Sequence, residues 1–100
     1  GKDPAEAAKW YRESAEQGYM WGQLDLGRLY EQGCGVPQND VEAYVWYTLA
    51  ADQEHGLAPV ARNKIRERMT ARQIAEADQR IADFRTGKFR SLQGGAESSQ

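Results

Sequence analysis

Two short blocks of sequence recur at a fixed distance, and this repeat limits the possible fold more than any other feature. Four residues return 36 positions later, in the pairs Ala7 and Ala43, Trp10 and Trp46, Tyr11 and Tyr47, and Ala15 and Ala51. Trp and Tyr are uncommon residues, so a shared offset at four positions indicates a structural repeat. A unit this short cannot bury its own apolar surface, so its neighbours must stack on it. The recurring aromatic residues are therefore predicted to form an interhelical core.

Three capping patterns divide the chain into helices. Each has a side-chain acceptor followed three residues later by Glu or Gln, which together satisfy the free N–H groups of a helix start. They are Asp3-Pro4-Ala5-Glu6, Asn39-Asp40-Val41-Glu42 and Thr70-Ala71-Arg72-Gln73. Gly18, Gly33 and Gly56 are predicted to end helices, because glycine readily takes the positive φ that follows a last helical turn. No alternating strand pattern competes, and the predicted helices are 4–17, 19–32, 41–53, 57–68 and 71–87.

The predicted helices differ in how many of their sides are apolar. Residues 41–51 are apolar on almost every side, which indicates a helix enclosed by its neighbours. The last helix has one narrow apolar stripe, formed by Ile74, Ala77, Ile81 and Phe84. A helix with one apolar face is typical of the cap of an array. Residues 93–100 have nothing to bury and are predicted to be disordered.

These residues resemble the pattern of the Sel1-like repeat family, a relative of the tetratricopeptide repeat. The resemblance rests on Leu26-Gly27, Tyr30, Gly33-Cys34-Gly35-Val36, Asp40, Ala43, Trp46-Tyr47, Ala50-Ala51 and Gly56. It implies an all-α, right-handed superhelical solenoid of antiparallel helix pairs, with about five helices and a C-terminal capping helix. The repeat domain would cover 3–92, as a half repeat at 3–18, a full repeat at 19–56 and a divergent capping unit at 57–92. Two features depart from the family pattern: Gly22 replaces an alanine, and Gln53-Glu54-His55 lengthens a turn.

Single residues give little support to catalysis. His55, the only histidine, lies in a predicted turn with no nucleophile beside it, and is interpreted as a solvated turn residue. Cys34 has no second cysteine for a disulfide, zinc or redox site. Gly33 and Gly35 lack the preceding strand and the following Lys-Ser/Thr of a phosphate-binding loop. The chain is therefore predicted to be non-enzymatic, with no cofactor and no metal.

The candidate partner-binding surface begins on the second helix. Four residues spaced by 4, 3 and 4 positions share one face of it, opposite Leu26, Leu29 and Tyr30; they are Trp21, Asp25, Arg28 and Gln32. In Sel1-like and tetratricopeptide repeats the corresponding helix lines the concave surface that binds peptides, so the resemblance implies partner binding here. An ordinary solvated face is the alternative.

A second alignment extends this surface into the capping unit. The shift of 38 positions from Gly18 to Gly56 aligns Leu24 with Arg62 and Arg28 with Arg66. It predicts that Arg28, Arg62 and Arg66 lie side by side, with Trp21 at their edge. Guanidinium groups grip carboxylates through paired hydrogen bonds, so an acidic or C-terminal-carboxylate peptide is the expected ligand. Alternatively, Glu31 and Glu67 neutralise these arginines in surface ion pairs.

The expected function is a scaffold or adaptor that holds a protein or peptide, in a protein of bacterial type. The alternative is a structural or oligomerisation end of a larger repeat protein with no ligand of its own. Residues 1–56 hold four basic and ten acidic residues, whereas 57–92 hold nine basic and four acidic ones. Nucleic-acid contact is a weaker third hypothesis, since the basic residues occupy only one half; they are Arg62, Lys64, Arg66, Arg68 and Arg72.

Location and assembly are only partly constrained by the sequence. No apolar run is long enough to span a membrane, so a soluble chain is expected, in cytoplasm or periplasm. The Gly1-Lys2 start is interpreted as a cloning remnant on a piece of a longer repeat protein. The first helix would then expose an apolar patch through which the chain self-associates, formed by Ala5, Ala8, Trp10, Tyr11 and Ala15.

Overall fold

A computed structural model describes residues 3–87, in which every regular element is an α-helix. The helices are α1 (Pro4–Glu16), α2 (Met20–Gln32), α3 (Asp40–Asp52), α4 (Ala58–Arg66) and α5 (Ala71–Arg85). α3 packs against α2, α4 and α5, and α2 also packs against α1. The predicted all-α array is confirmed. The predicted disordered segment 93–100 lies outside the described residues.

The acceptor half of the predicted capping chemistry is present at all three helix starts, but the returning bond from Glu or Gln forms at only one of them. The Asp3 carboxylate accepts a hydrogen bond of 3.0 Å from the backbone N–H two residues on, and Asn39 accepts one of 3.1 Å from the Glu42 N–H. Thr70 and Gln73 form a complete capping box, with bonds of 3.1 and 2.9 Å. α2 and α4 begin without a side-chain cap. These two helices therefore depend on packing for their first turns.

Two of the three predicted closing glycines have the expected backbone. Gly18 has φ +95° and Gly33 has φ +70°, whereas Gly56 does not adopt a positive φ. Glu54 takes the left-handed conformation instead, with φ +68°. The reason is the longer turn, in which the N–H groups of Gln53 and Glu54 already close the end of α3. A side-chain residue in this conformation costs about 1–2 kcal/mol relative to glycine.

α3 lies at the centre of the core. Every residue from Val41 to Ala50 is buried apart from Glu42. The Trp46 ring meets the Phe84 ring of α5 edge-on, with ring centroids 5.7 Å apart. On the α2 side, the Tyr47 ring lies so close to Gly27 that a Cβ there would be 2.8 Å from it. Gly27 is therefore required by packing: only glycine leaves room for the tyrosine of the next helix.

Trp10 occupies the position of Trp46 in the repeat but has different surroundings. It is 66% exposed, whereas Trp46 is 1% exposed. The interhelical core predicted for the repeated aromatic residues is therefore wrong for Trp10, because no helix of residues 3–87 covers that side of α1. Its predicted place in an apolar patch exposed on the first helix is confirmed. Ala8 and Ala15, which were expected in the exposed patch, are buried. The apolar exposure at this end of the array is thus concentrated in one indole.

Three arginine–carboxylate pairs attach the capping unit to α3: Arg68–Asp40, Arg80–Glu42 and Arg85–Asp52. Arg68 and Arg85 each donate two hydrogen bonds, of 2.9 to 3.0 Å. The hydrogen bond from Arg68 lowers the pKa of the Asp40 carboxyl group below its usual value. Part of the charge difference between the two halves of the chain is therefore used inside the fold.

α4 is not placed as a copy of α2. Under the shift of 38 positions Val60 corresponds to Gly22, yet Gly22 is buried against α1 and Val60 is 59% exposed. α4 and α5 both pack on α3, and their backbones are in little contact with each other. The last two helices therefore do not form a hairpin like that of α2 and α3.

Gly22 lies at a close approach of α1 and α2. A Cβ at this position would lie 2.6 Å from the Ser14 Cβ and 2.9 Å from the Ala15 backbone nitrogen. The sequence identified Gly22 only as a residue that loosens its helix. In the structure, the missing side chain allows the two helices to touch.

Replacing each repeated tryptophan by alanine should have very different effects on stability. Trp46→Ala should lower the free energy of unfolding by about 3–5 kcal/mol, because it leaves a cavity in the core. Trp10→Ala is the matched control and should cost less than about 0.5 kcal/mol, because this side chain is exposed. Urea unfolding followed by far-ultraviolet circular dichroism measures both changes. Equal losses would contradict the described packing.

Gly22→Ala should destabilise the protein, although helix propensity alone predicts a gain of about 1 kcal/mol. The added methyl group collides with α1, and overpacking of this kind costs about 1–3 kcal/mol. The double variant Ser14→Gly with Gly22→Ala should recover part of the loss, because it removes the nearest side chain. A stabilised Gly22→Ala protein in thermal unfolding would show that the two helices are farther apart.

Candidate partner-binding site

The predicted face of α2 is the exposed side of that helix. Trp21, Arg28 and Gln32 are exposed and Asp25 is half-buried. The remaining sides of the helix are largely buried, with Leu24 at 1% and Leu26 at 0% exposure. The four residues therefore share one surface, as the spacing predicts.

Trp21 is braced by a residue from the turn between α3 and α4. Its ring meets the His55 ring edge-on, with centroids 4.8 Å apart and an interplanar angle of 87°. The Nδ1 atom of His55 accepts a hydrogen bond of 3.1 Å from the Leu57 N–H, so the neutral ring carries its proton on Nε2. His55 lies in the predicted turn but is half-buried there, so the interpretation of it as a solvated residue is corrected by its ring contact with Trp21. Trp21 is still 63% exposed.

An amide network holds the same turn against the rest of the array. The Gln53 side chain donates to the Gly18 carbonyl at 2.7 Å and to the Gln23 amide oxygen at 3.0 Å. Gln23 is 1% exposed and donates in turn to the Ala15 carbonyl at 3.3 Å. The α1–α2 turn and the α3–α4 turn are thereby joined. Sequence reasoning missed this network, although the added residues Gln53-Glu54-His55 marked the place.

The three predicted arginines differ in their surroundings. Arg28 lies 3.6 Å from the Asp25 carboxylate, and its side chain is half exposed. Arg62 is half-buried, and its Nε donates to the Asn63 side chain at 3.2 Å. Arg66 is exposed and has no ion pair within residues 3–87. Of the three arginines, Arg66 is therefore the one whose guanidinium group is most available to a ligand.

The expected neutralising residue on α2 has another role. Glu31 accepts a hydrogen bond of 2.6 Å from the Tyr47 hydroxyl group. Burial raises the pKa of Tyr47, and this hydrogen bond to a carboxylate raises it further. Within residues 3–87, neither Glu31 nor Glu67 forms an ion pair with the predicted arginines. Of the three arginines, Arg28 alone has an ion-pair partner within these residues, and that partner is Asp25.

The six predicted residues fall into two groups. One group lies on α2 and the other on α4, and the backbones of these helices are in little contact. The link described between the two groups is the contact of Trp21 with His55, next to the start of α4. We call the six together the leading-helix surface: Trp21, Asp25, Arg28, Gln32, Arg62 and Arg66. Tyr19 and Leu57, at the starts of α2 and α4, are each 61% exposed and were not identified from the sequence.

The leading-helix surface offers an apolar ring and guanidinium groups, which suit an apolar side chain and carboxylates. Within residues 3–87 no group of three or more His, Cys, Asp or Glu side chains is placed to hold a metal ion. None of the described helices has the length and apolar character needed to cross a membrane. Arg68, which was part of the nucleic-acid hypothesis, is engaged by Asp40.

Comparison with known proteins agrees with these features. The family model for the Sel1 repeat matches residues 1–19 and 22–55. A crystal structure of a protective antigen present in uropathogenic Escherichia coli strains, which displays an SLR fold, is similar to this chain with a TM-score of 0.79 and 30% sequence identity. The match covers 99% of this chain and 22% of that one. No curated protein sequence matches the chain.

Gln53→Ala should destabilise the protein by about 1–2 kcal/mol, because it leaves the buried Gln23 without one of its partners. Gln17→Ala is the control, since Gln17 is exposed and its side chain has no hydrogen bond within residues 3–87. The control should lie within about 0.5 kcal/mol of the wild type. Chemical denaturation compares the two, and equal stabilities would show that the amide network contributes nothing.

Proposed function

Since this chain belongs to the Sel1 repeat family, we propose that it holds a peptide segment of a protein partner on the leading-helix surface. Sel1 repeats generally mediate protein–protein interaction, and the family is typically non-enzymatic. The proposal for this chain is more specific. Its site comprises Trp21 as an apolar anchor and the arginines of α2 and α4 as partners for carboxylates.

The exposed indole of Trp21 is the observation that carries the proposal. Tryptophan is enriched among the residues that dominate binding energy at protein interfaces. Trp21 presents 63% of its surface to solvent and is restrained by the edge-on contact with His55. His55 is itself restrained by the bond from the Leu57 N–H. A side chain that is already ordered loses little conformational entropy on binding, which favours affinity.

The charges near this anchor favour an acidic ligand. Arg66 and Arg62 lie on the helix that begins just after His55, and no carboxylate of residues 3–87 pairs with either. Guanidinium groups gain by meeting carboxylates, through paired and charge-assisted hydrogen bonds. The ligand we propose is an extended segment with one apolar side chain followed by acidic residues or a C-terminal carboxylate.

A second candidate function is the structural closure of a longer array, without a ligand. The observation that favours it is α5, whose apolar stripe is turned inward: Ala77 is 0% and Ile81 is 3% exposed. The ion pairs of the capping unit with α3 would serve the same purpose. In this case Trp21 would be an ordinary surface residue.

Selection from a library of displayed peptides with free C-termini tests the proposal. We expect enrichment of peptides with an apolar residue and at least one carboxylate near it. Trp21→Ala, and separately Arg62→Ala with Arg66→Ala, should each weaken binding of a selected peptide at least about tenfold. The effect of the arginine variant should be larger at low salt, where surface charges are least screened.

A matched control removes an arginine that lies outside the leading-helix surface. Arg72 is exposed at the start of α5, and Arg72→Ala should leave the affinity for the selected peptide unchanged. If the Arg62/Arg66 variant binds as tightly as wild type, the acidic-ligand proposal fails. If no peptide is selected at all, structural closure becomes the better account.

A further inference from the structure

Two faces at different places in the array carry opposite charge, and no other helix of residues 3–87 covers either of them. We call the first the α1 end face, formed by Asp3, Glu6, Trp10 and Glu13. We call the second the α4 outer face, formed by Leu57, Val60 and Lys64. All seven residues are exposed. None of them belongs to the leading-helix surface, so a role for these two faces does not depend on the peptide proposal.

The α1 end face is an acidic groove around an indole. Two adjoining depressions of about 380 and 510 Å³ both include Asp3, Glu6 and Trp10 in their walls. Glu13 and Lys9 line the larger one. The lining therefore holds three carboxylates against a single ammonium group. Within residues 3–87, neither Glu6 nor Glu13 has an ion-pair partner.

The repeat itself shows that this face has a buried counterpart. Trp46 stands 36 positions after Trp10 and is 1% exposed. It is covered in part by Phe84 of α5. The same position of the repeat is thus covered by another helix at Trp46, whereas at Trp10 no helix of the described part of the chain covers it. The exposed Trp10 ring lies between two depressions, and an exposed apolar group of this kind is typical of a surface that binds another protein element. A helix would fill the depressions.

The α4 outer face is apolar and basic. Leu57 and Val60 are 61% and 59% exposed, and Lys64 follows on the same side of the helix, since the spacings are three and four residues. α4 packs on α3 through a different side, where Ala58 and Ile65 are each 0% exposed. Within residues 3–87 the α4 outer face is therefore left uncovered.

We propose that copies of this chain stack head to tail, with the α4 outer face of one copy seated on the α1 end face of the next. Antiparallel packing of the two helices places the basic last turn of α4, with Lys64, against the acidic first turn of α1, with Glu6. Leu57 and Val60 then enter the depressions beside Trp10. Pairing of two α1 end faces is disfavoured, because it brings their carboxylates together.

This contact joins two different surfaces, so a dimer still has one free face of each kind. Repeated, such a contact produces either a closed ring or an open chain, and we expect an open chain whose length increases with concentration. Sedimentation velocity of the intact chain should show a weight-average mass that increases from about 10 µM to about 1 mM without a plateau at the dimer. High salt should reduce the association, because surface charges contribute to it.

Variants that block one face each provide the decisive test. Trp10→Glu blocks the α1 end face, and Val60→Glu with Lys64→Glu blocks the α4 outer face. Each variant alone should associate at least about tenfold more weakly than wild type. A mixture of the two should form a dimer and nothing larger, because one unblocked face of each kind is available. Arg72→Glu with Ala75→Glu is the control: it makes the same charge change as the α4 variant at exposed positions of α5, and should associate as wild type does.

The changed residues are all exposed, so each variant should keep the circular dichroism and melting temperature of the wild type. A wild-type chain that is monomeric throughout this concentration range overturns the proposal and assigns the α1 end face to a segment of different sequence. Association of the α4 variant at wild-type strength also overturns it, in favour of α1–α1 pairing. A mixture of folded, blocked variants that stays monomeric overturns it as well.

Discussion

The burial of α3 on all sides is the constraint on which the rest of the structure depends. A helix that is apolar around its whole circumference is unstable in water unless other helices enclose it. α2, α4 and α5 do so, and each contacts a different part of α3. Tyr47 requires the absence of a side chain at Gly27, and Trp46 requires the ring of Phe84. The arginines of the capping unit then pair with carboxylates on α3.

This arrangement explains which parts of the fold the sequence predicts. The caps and the composition of residues 41–51 are local signals, and they predict the helices and the enclosed position of α3. The core position predicted for Trp10 is wrong because a repeated residue does not imply repeated neighbours. The shift of 38 positions fails for α4 because Glu54, and not Gly56, reverses the chain. Aligning Gly18 with Gly56 assumes that the α1–α2 turn and the α3–α4 turn have the same backbone path. They do not, because the positive φ falls on Gly18 in the first turn and on Glu54 in the second.

For the candidate site, too, the sequence predicts what one helix determines but not the contacts between separate elements. Helical spacing predicts the shared face of α2, since that depends on one element only. The contact of Trp21 with His55 and the bonds of Gln53 to Gly18 and Gln23 join separate turns, and no local pattern specifies them. The different surroundings of the three arginines also depend on how α4 sits on α3. The extra residues before Gly56 are the one visible sign, because an insertion in a repeat often has a role of its own.

The charge asymmetry of the sequence acquires a physical meaning in the structure. Some basic residues of the second half attach the cap to α3, and others face solvent on two sides of α4. The asymmetry, which made nucleic-acid contact the weaker hypothesis, is better described as complementarity between parts of one array. The same capping unit can then close the fold and present cations to a ligand or to another copy.

Hydrogen exchange under native conditions tests the central role of α3 most directly. The backbone amides of α3 should exchange only through global unfolding, with the largest opening free energies among residues 3–87. Amides of α1, which among the described helices packs mainly on α2, should exchange through local opening at lower free energy. Protection of α1 equal to that of α3, or faster exchange in α3, would contradict the claim that the fold is organised around one enclosed helix.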